Sequence, residues 1–220
     1  STHGEQAASD RLPLSASPAV SILMCVHNRE RFVDAAIKSV LAQTRTDLEL
    51  VLLDDGSSDN SLAICRSHAQ RDPRVRLFEG ERKGAVRALN AAHTHARGKL
   101  IGWVDSDDML HAEALAHTAA VLESRTTIGL VYTDHLIIDE SNTAAGVGHK
   151  ATIPYSKEKL LTDFVTFHFR LFRREHVRRD QRAQLLRDLR GTLQSGLRQD
   201  GAELLATVAP QLVVRPQALL

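Results

Sequence analysis

Asp105, Asp107 and Asp108 stand together with only Ser106 between them, and this is the densest chemistry in the chain. Like charges this close oppose one another's ionisation, so the cluster is costly unless a cation neutralises it. Hard oxygen ligands suit Mg2+ or Mn2+, ions that commonly bind phosphate oxygens as well. The acids end the apolar run Leu100, Ile101, Trp103 and Val104, which reads as a buried strand. Carboxylates at a strand's carboxyl end lie where open α/β sheets bind their ligands. Alternatively, Ser106 or Asp107 caps a helix beginning near Met109, with the acids favoured by its dipole. Two other polar clusters share the placement. His27-Asn28 follows the apolar run 20–26, and Asp54-Asp55 follows the run 48–53.

The elements that must carry these clusters alternate in type. After the first strand, Phe32, Ala35, Ala36, Val40 and Leu41 recur at helical spacing and predict a helix over 31–43. A turn at 44–47 leads to the second strand. Leu62, Ile64, Cys65 and Ala69 mark the next helix, which Asp72-Pro73 breaks. A short strand over 75–78, a basic loop over 80–84 and an alanine-rich helix over 85–96 follow, with Gly98 expected as the helix C-cap. The acid-tipped strand, a helix over 111–124 and a strand over 129–133 complete the pattern. Alternation of this kind is that of an α/β doubly wound, mostly parallel sheet flanked by helices. Right-handed crossovers put all the strand carboxyl ends on one edge, so the three polar clusters should meet there.

Composition sets outer bounds. At 220 residues and 43% hydrophobic content, the chain suits one core domain or a domain with a tail. A formal net charge of +1 gives no ground for a nucleic-acid partner. No apolar run is long enough for a transmembrane helix. Cys25 and Cys65 form no metal or disulfide framework and read as reduced core residues. That suits a reducing, cytoplasmic setting, with peripheral docking at the inner face of the membrane left open. Residues 1–19 read as a flexible lead, 20–140 as the ligand-binding core and 141–220 as an atypical second part with a helical C-terminal segment. In that part Leu185, Leu186, Leu189, Leu193 and Leu197 recur at helical spacing. The histidines are scattered, and His111 and His117 are spaced too far apart for a ligand pair.

The ordered motifs resemble those of the family 2 inverting glycosyltransferases, whose nucleotide-sugar-binding fold is called GT-A and is Rossmann-like. The stretches are Val20-Ser-Ile-Leu-Met-Cys-Val-His-Asn28, Ser39-Val-Leu-Ala-Gln-Thr44, Leu48-Glu-Leu-Val-Leu-Leu-Asp-Asp-Gly-Ser-Ser-Asp59, Ala88-Leu-Asn90, Ala96-Arg-Gly98 and Ile101-Gly-Trp-Val-Asp-Ser-Asp-Asp108. Phe169-Arg-Leu-Phe-Arg-Arg-Glu175 is similar to the stretch before the family's acceptor-side loop. The resemblance implies that Asp105-Ser106-Asp107 is a DxD motif, with Asp107 the main ligand of Mn2+ or Mg2+, Asp105 nearer the ribose and Asp108 in support. It implies that Asp55 reads the base edge and that His27 stands where an aromatic ring often stacks on the base. Cys25, Asn28 and Ser106 would line the nucleotide, Asp54 would orient the loop, and Lys83 or Arg87 would neutralise phosphate. Implied partners are a nucleotide-sugar donor, UDP-linked by family habit, and a hydroxyl acceptor on a glycan, a lipid-linked glycan or a protein. A capsular, lipopolysaccharide or protein-linked glycan could be the product.

An inverting transferase needs a general base, usually a carboxylate, for the acceptor hydroxyl. In the family it follows a Gly-Gly loop, and no such signature stands here. Asp200, with Glu203 as second choice, lies at the right distance; as an alternative, both are solvated helix charges. Lack of the Gly-Gly element and of a Gln-x-x-Arg-Trp motif argues against a processive synthase. The competing expectation is a catalytically impaired GT-A-like module that binds nucleotide sugar or a partner. A receiver-type domain leaves Asp105-Ser106-Asp107 unexplained, and a sugar nucleotidyltransferase needs a Gly-rich loop after the first strand.

Overall fold

The computed structural model describes residues 17–139, 143–148 and 169–176, with the backbone of 205–214. In chain order the elements are β1 (Val20–Val26), α1 (Val33–Leu41), β2 (Leu48–Asp55), α2 (Ser61–Arg71), β3 (Val75–Gly80), α3 (Ala85–His95), β4 (Leu100–Trp103), β5 (Met109–Leu110), α4 (Ala114–Ser124), β6 (Leu130–Ile138), β7 (Ala144–Val147), β8 (Arg170–Arg173) and β9 (Leu205–Val214). The strands form one sheet in the order β3-β2-β1-β4-β8-β6-β9-β5, with β7 also paired to β6. From β3 to β4 all pairing is parallel. β8 is antiparallel to both β4 and β6, so β6 runs in the same direction as β4. The chain thus winds outward from β1 to β3 and then returns to the other side of β1. The crevice between β1 and β4 is the switch point where such sheets bind ligands.

Alternation along the strands sorts the core into two layers. Ile22, Met24, Leu50 and Leu52 pack with Ile37 and Val40 of α1 and Leu115 and Leu122 of α4. Leu23, Val51, Leu53, Ile101 and Phe172 pack with Ala88 and Ala92 of α3 on the other side. β1 and β2 are apolar on both faces because both are covered, as expected of central parallel strands.

Several motif residues serve the scaffold. Glu49 is buried on β2 and accepts from Ser21 Oγ (2.6 Å), Arg97 N (2.7 Å), Arg97 Nε (2.8 Å) and Arg76 Nη1 (2.9 Å). Gly98 is no helix C-cap: α3 ends at Ala96 in extended conformation. Glycine is needed there for close approach, since a Cβ would lie 2.6 Å from Ser21 N. Gly102 likewise makes room for Phe169, whose ring a Cβ would meet at 2.9 Å.

The helix expected over 111–124 begins only at Ala114, and Met109–Leu110 is a strand. Contacts remote in sequence hold that short strand: Leu110 N donates to Ser39 Oγ, and β5 pairs with β9. Buried Gln43 completes the tie, donating to His111 O (2.8 Å) and accepting from Leu115 N (2.9 Å). The expected helical character of the C-terminal part is not found where that part is described, which is β7, β8, one 3-10 turn at Arg174–His176 and β9. Thr207, Val208, Val213 and Val214 supply the β-branched content that favours a strand in β9. The leucine repeat over 185–197 lies outside the described residues.

Candidate functional site

The loops after β1 and β2 are laced together. Asn28 takes the left-handed conformation, with φ of 51°, and its Oδ1 accepts from Ser58 N (2.8 Å). Asn28 N donates to Ser57 Oγ, and Arg29 N donates to Ser61 Oγ (2.7 Å). Asp59 accepts from Glu30 N and Ser61 N, tying the start of α2 to the same loop. His27 Nδ1 lies 3.0 Å from Asp55 O. A carbonyl oxygen only accepts, so Nδ1 carries the proton and a neutral His27 offers Nε2 as an acceptor.

Asp54 and Asp55 are adjacent, so their side chains leave opposite faces of β2. Asp54 turns toward α2, and its Oδ2 accepts from Ser57 N at 2.9 Å. Its buried Oδ1 has no hydrogen-bond partner among the described residues. Asp55 faces the α3 side and accepts from Lys83 N (2.7 Å) and Gly84 N (2.9 Å), pinning the loop between β3 and α3. Gly56, at φ of 70°, makes the turn, and a Cβ there would come within 2.9 Å of Arg82 N.

At the tip of β4 the chain makes a turn closed by Asp108 N donating to Asp105 O (3.0 Å). No helix starts at Met109, so the acids are not the cap of one. Asp105 is exposed, Asp107 half-buried, and Ser106 and Asp108 buried. Arg29 Nε stands 3.3 Å from Asp107 Oδ2, linking the β1 loop to the acid tip across the switch point. The donor set of Asp105 and Asp107 suits a hard divalent cation. Mg2+ is typically held by one or two carboxylates, with phosphate and water oxygens filling the remaining positions. No group of three or more candidate ligands occurs among the described residues, and a site of this open type requires none.

Two groups on the α3 side feel the negative field. Burial pushes the Cys25 thiol up to about 12, helped by Asp105 and Asp55, so it is an inert thiol facing the acids. Burial lowers Arg170 to about 10 while Asp105 pulls it back up, so the guanidinium keeps its charge at neutral pH. Its carbon lies 4.8 Å from the centre of the Trp103 ring.

The structure therefore brings Cys25, His27, Asn28, Asp55, Asp105, Ser106 and Asp107 to one sheet edge. Lys83 reaches the group through its backbone N–H, while its side chain and that of Arg87 are exposed. Asp200 and Glu203 lie outside the described residues. Sequence reasoning overlooked Arg29 and Arg170 as site residues. A charge at an inward position of an otherwise apolar strand, Phe169-Arg-Leu-Phe172, was the available signal for Arg170.

The parallel β3-β2-β1-β4 half, its acid-tipped edge and the antiparallel β8 define a GT-A fold. The model of the family "Glycosyl transferase family 2" matches residues 21–180, and the chain belongs to that family. Chondroitin synthase of Escherichia coli is 36% identical over 155 residues, which are 70% of this chain and 22% of that protein. Among solved structures, S. aureus TarS 1-349 in complex with UDP-GlcNAc superposes with a TM-score of 0.68 at 17% identity, covering 90% of this chain and 59% of that one. Mannosyltransferase PcManGT from Pyrobaculum calidifontis, in complex with GDP-Man and Mn2+, gives 0.64 at 19% identity, covering 90% and 57%. The chain is thus shorter than each, spanning 22% of the synthase. Among the described residues no helix is long and apolar enough to cross a membrane.

Proposed function

We propose that the chain transfers a sugar from a nucleotide diphosphate donor, with UDP favoured, to a hydroxyl acceptor, with inversion and dependence on a divalent cation. The observation that carries this is the meeting of Asp55, His27, Asp105 and Asp107 at the β1/β4 switch point, the loops joined by the Arg29–Asp107 pair. Relatives support it: one neighbour's structure holds UDP-GlcNAc and another holds GDP-Man with Mn2+.

In this reading the base lies between His27 and the Asp55 loop, where an imidazole face stacks and a carboxylate accepts from ring N–H groups. Asp107 and Asp105 would hold Mn2+ or Mg2+, which would supply positive charge against that growing on the leaving diphosphate. The acceptor oxygen forms its bond to the anomeric carbon from the face opposite the diphosphate, whose C–O bond breaks. The acceptor proton passes to a carboxylate, for which Asp200 and then Glu203 are the candidates. Two free cysteines suit a cytoplasmic location. The acceptor is a hydroxyl of a glycan, lipid-linked glycan or protein.

A second reading is favoured by one observation: the family match ends at residue 180, before both base candidates. It makes the chain a nucleotide-sugar-binding module without turnover. Calorimetric titration of UDP and GDP, each with and without Mn2+, tests what the two readings share. Wild type should bind UDP in a Mn2+-dependent way and Asp107→Ala should not. No nucleotide binding by a folded wild type would sink both. Donor hydrolysis lost in Asp200→Ala would then favour the enzyme over the module.

A further inference from the structure

Among the described residues, two arginines of different kinds stand beside the acids at the β4 tip. Arg29 approaches Asp107 from the β1 loop with 38% of its side chain exposed, so it can swing out into water when a metal takes its place. Arg170 comes from β8 and is buried, with only 6% of its surface exposed. Trp103, Arg170 and Tyr132 form one row across β4, β8 and β6. Asp105 is two residues beyond Trp103, and neighbouring strands are about 4.8 Å apart. The guanidinium is therefore plated on Trp103 one row beneath the acid tip and has no solvent to retreat to. Gly102 lets Phe169 pack close behind it, which fixes the start of β8. The neighbouring arginines of the same stretch have other work. Arg173 donates to the carbonyls of Leu122 and Ile128, and Arg174 donates to Ala96 O.

We propose that Arg170 is a positioning residue of the donor site: it holds Asp105 oriented at the strand tip and permanently balances its charge, while Arg29 is the exchangeable counter-cation of Asp107. The inference rests on the donor-site reading above. Burial of Arg170 gives it physical force: Asp105 itself is exposed, but a guanidinium packed on Trp103 one row below it cannot move away and keeps its charge at a fixed place. Lysine is a poor substitute, since it cannot stack as a plane on an aromatic ring.

The test is a double-mutant cycle on the full 220-residue chain, read as UDP affinity by calorimetry in the presence of Mn2+, with melting curves to confirm folding. Arg170→Met should weaken binding by about tenfold or more, the scale seen when the outer partner of a metal ligand is lost. In an Asp105→Asn background the same change should cost almost nothing further, because the two residues act as one unit. Arg170→Lys should fall between wild type and Arg170→Met. Additive losses, or wild-type affinity in a folded Arg170→Met, overturn the inference while leaving the donor site intact. If Arg170→Met fails to fold, Arg170→Lys decides, and wild-type affinity in that variant overturns it. A folded wild type that binds neither UDP nor GDP overturns the donor site and the inference together; if GDP alone binds, the same cycle is read with GDP.

Discussion

Asp55 shows how one carboxylate can serve the scaffold and the proposed donor site at once. Both of its oxygens accept from backbone N–H groups, Lys83 N and Gly84 N, so the loop between β3 and α3 is held by a charge. Asp55→Asn keeps the shape but turns one acceptor into a donor facing an N–H. Hydrogen bonds to charged groups contribute about 1.5–3 kcal/mol, so a loss of that order is expected in urea unfolding. UDP affinity should fall about tenfold as the loop loosens, equivalent to about 1.4 kcal/mol. Asp54→Asn is the control: among the described residues Asp54 accepts only from Ser57 N, a bond that an asparagine oxygen can keep. Equal UDP affinity in Asp55→Asn and wild type would mean that the loop takes no part in binding.

At the level of elements, the strands were legible because β1 and β2 are buried on both faces and therefore written as unbroken apolar runs. β2 runs two residues further than its apolar part, through Asp54 and Asp55, because pairing with β1 and β3 continues under the polar tip. What could not be read locally was held by remote partners. Met109–Leu110 is a strand only because of Ser39 and β9, and Gly98 looked like a cap because its true constraint, Ser21, is distant in sequence. The Ser39–Gln43 pair was legible as a motif but not as a mechanism. Its polar atoms staple α1 to the segment just after the acid tip. Gln43→Leu should therefore destabilise the chain by about 1–3 kcal/mol, since it leaves the buried Leu115 N without its partner, while water can reach the exposed His111. The measurement is the urea midpoint at unchanged slope. Destabilisation below about 0.5 kcal/mol, the range of an ordinary surface change, would show that water replaces the staple.

Across the whole molecule the sheet has a proposed functional edge and a structural one, and the two should respond differently to acid. At the amino edge Glu49 joins Ser21 of β1, Arg76 of β3 and the Arg97 turn before β4, so one buried carboxylate ties all four parallel strands. Burial alone would raise its pKa, but the hydrogen bonds from Ser21, Arg97 and Arg76 outweigh it and hold it below the ordinary value of 4.5. A group with a depressed folded pKa contributes stability that is fully present above its unfolded pKa. That contribution is lost as pH falls from about 4.5 through the lower folded value. The arginines left behind are part-exposed and can turn to water, so Glu49→Gln should be destabilised at pH 7 by about 1.5–3 kcal/mol, the range of hydrogen bonds to a charged group. The gap from wild type should narrow as pH falls from about 4.5 through the lower folded value, because wild type then loses the same charge. At pH 7 and a temperature where both remain folded, UDP affinity should be unchanged, since Glu49 lies at the end of the strands opposite Asp105 and Asp107. Melting curves over pH 3–7, with calorimetry at pH 7, separate the two edges. A constant stability gap across that range would remove Glu49 as the source of acid sensitivity. A loss of UDP affinity equal to that of Asp107→Ala would mean that strand register, set at the amino edge, controls the donor site at the other.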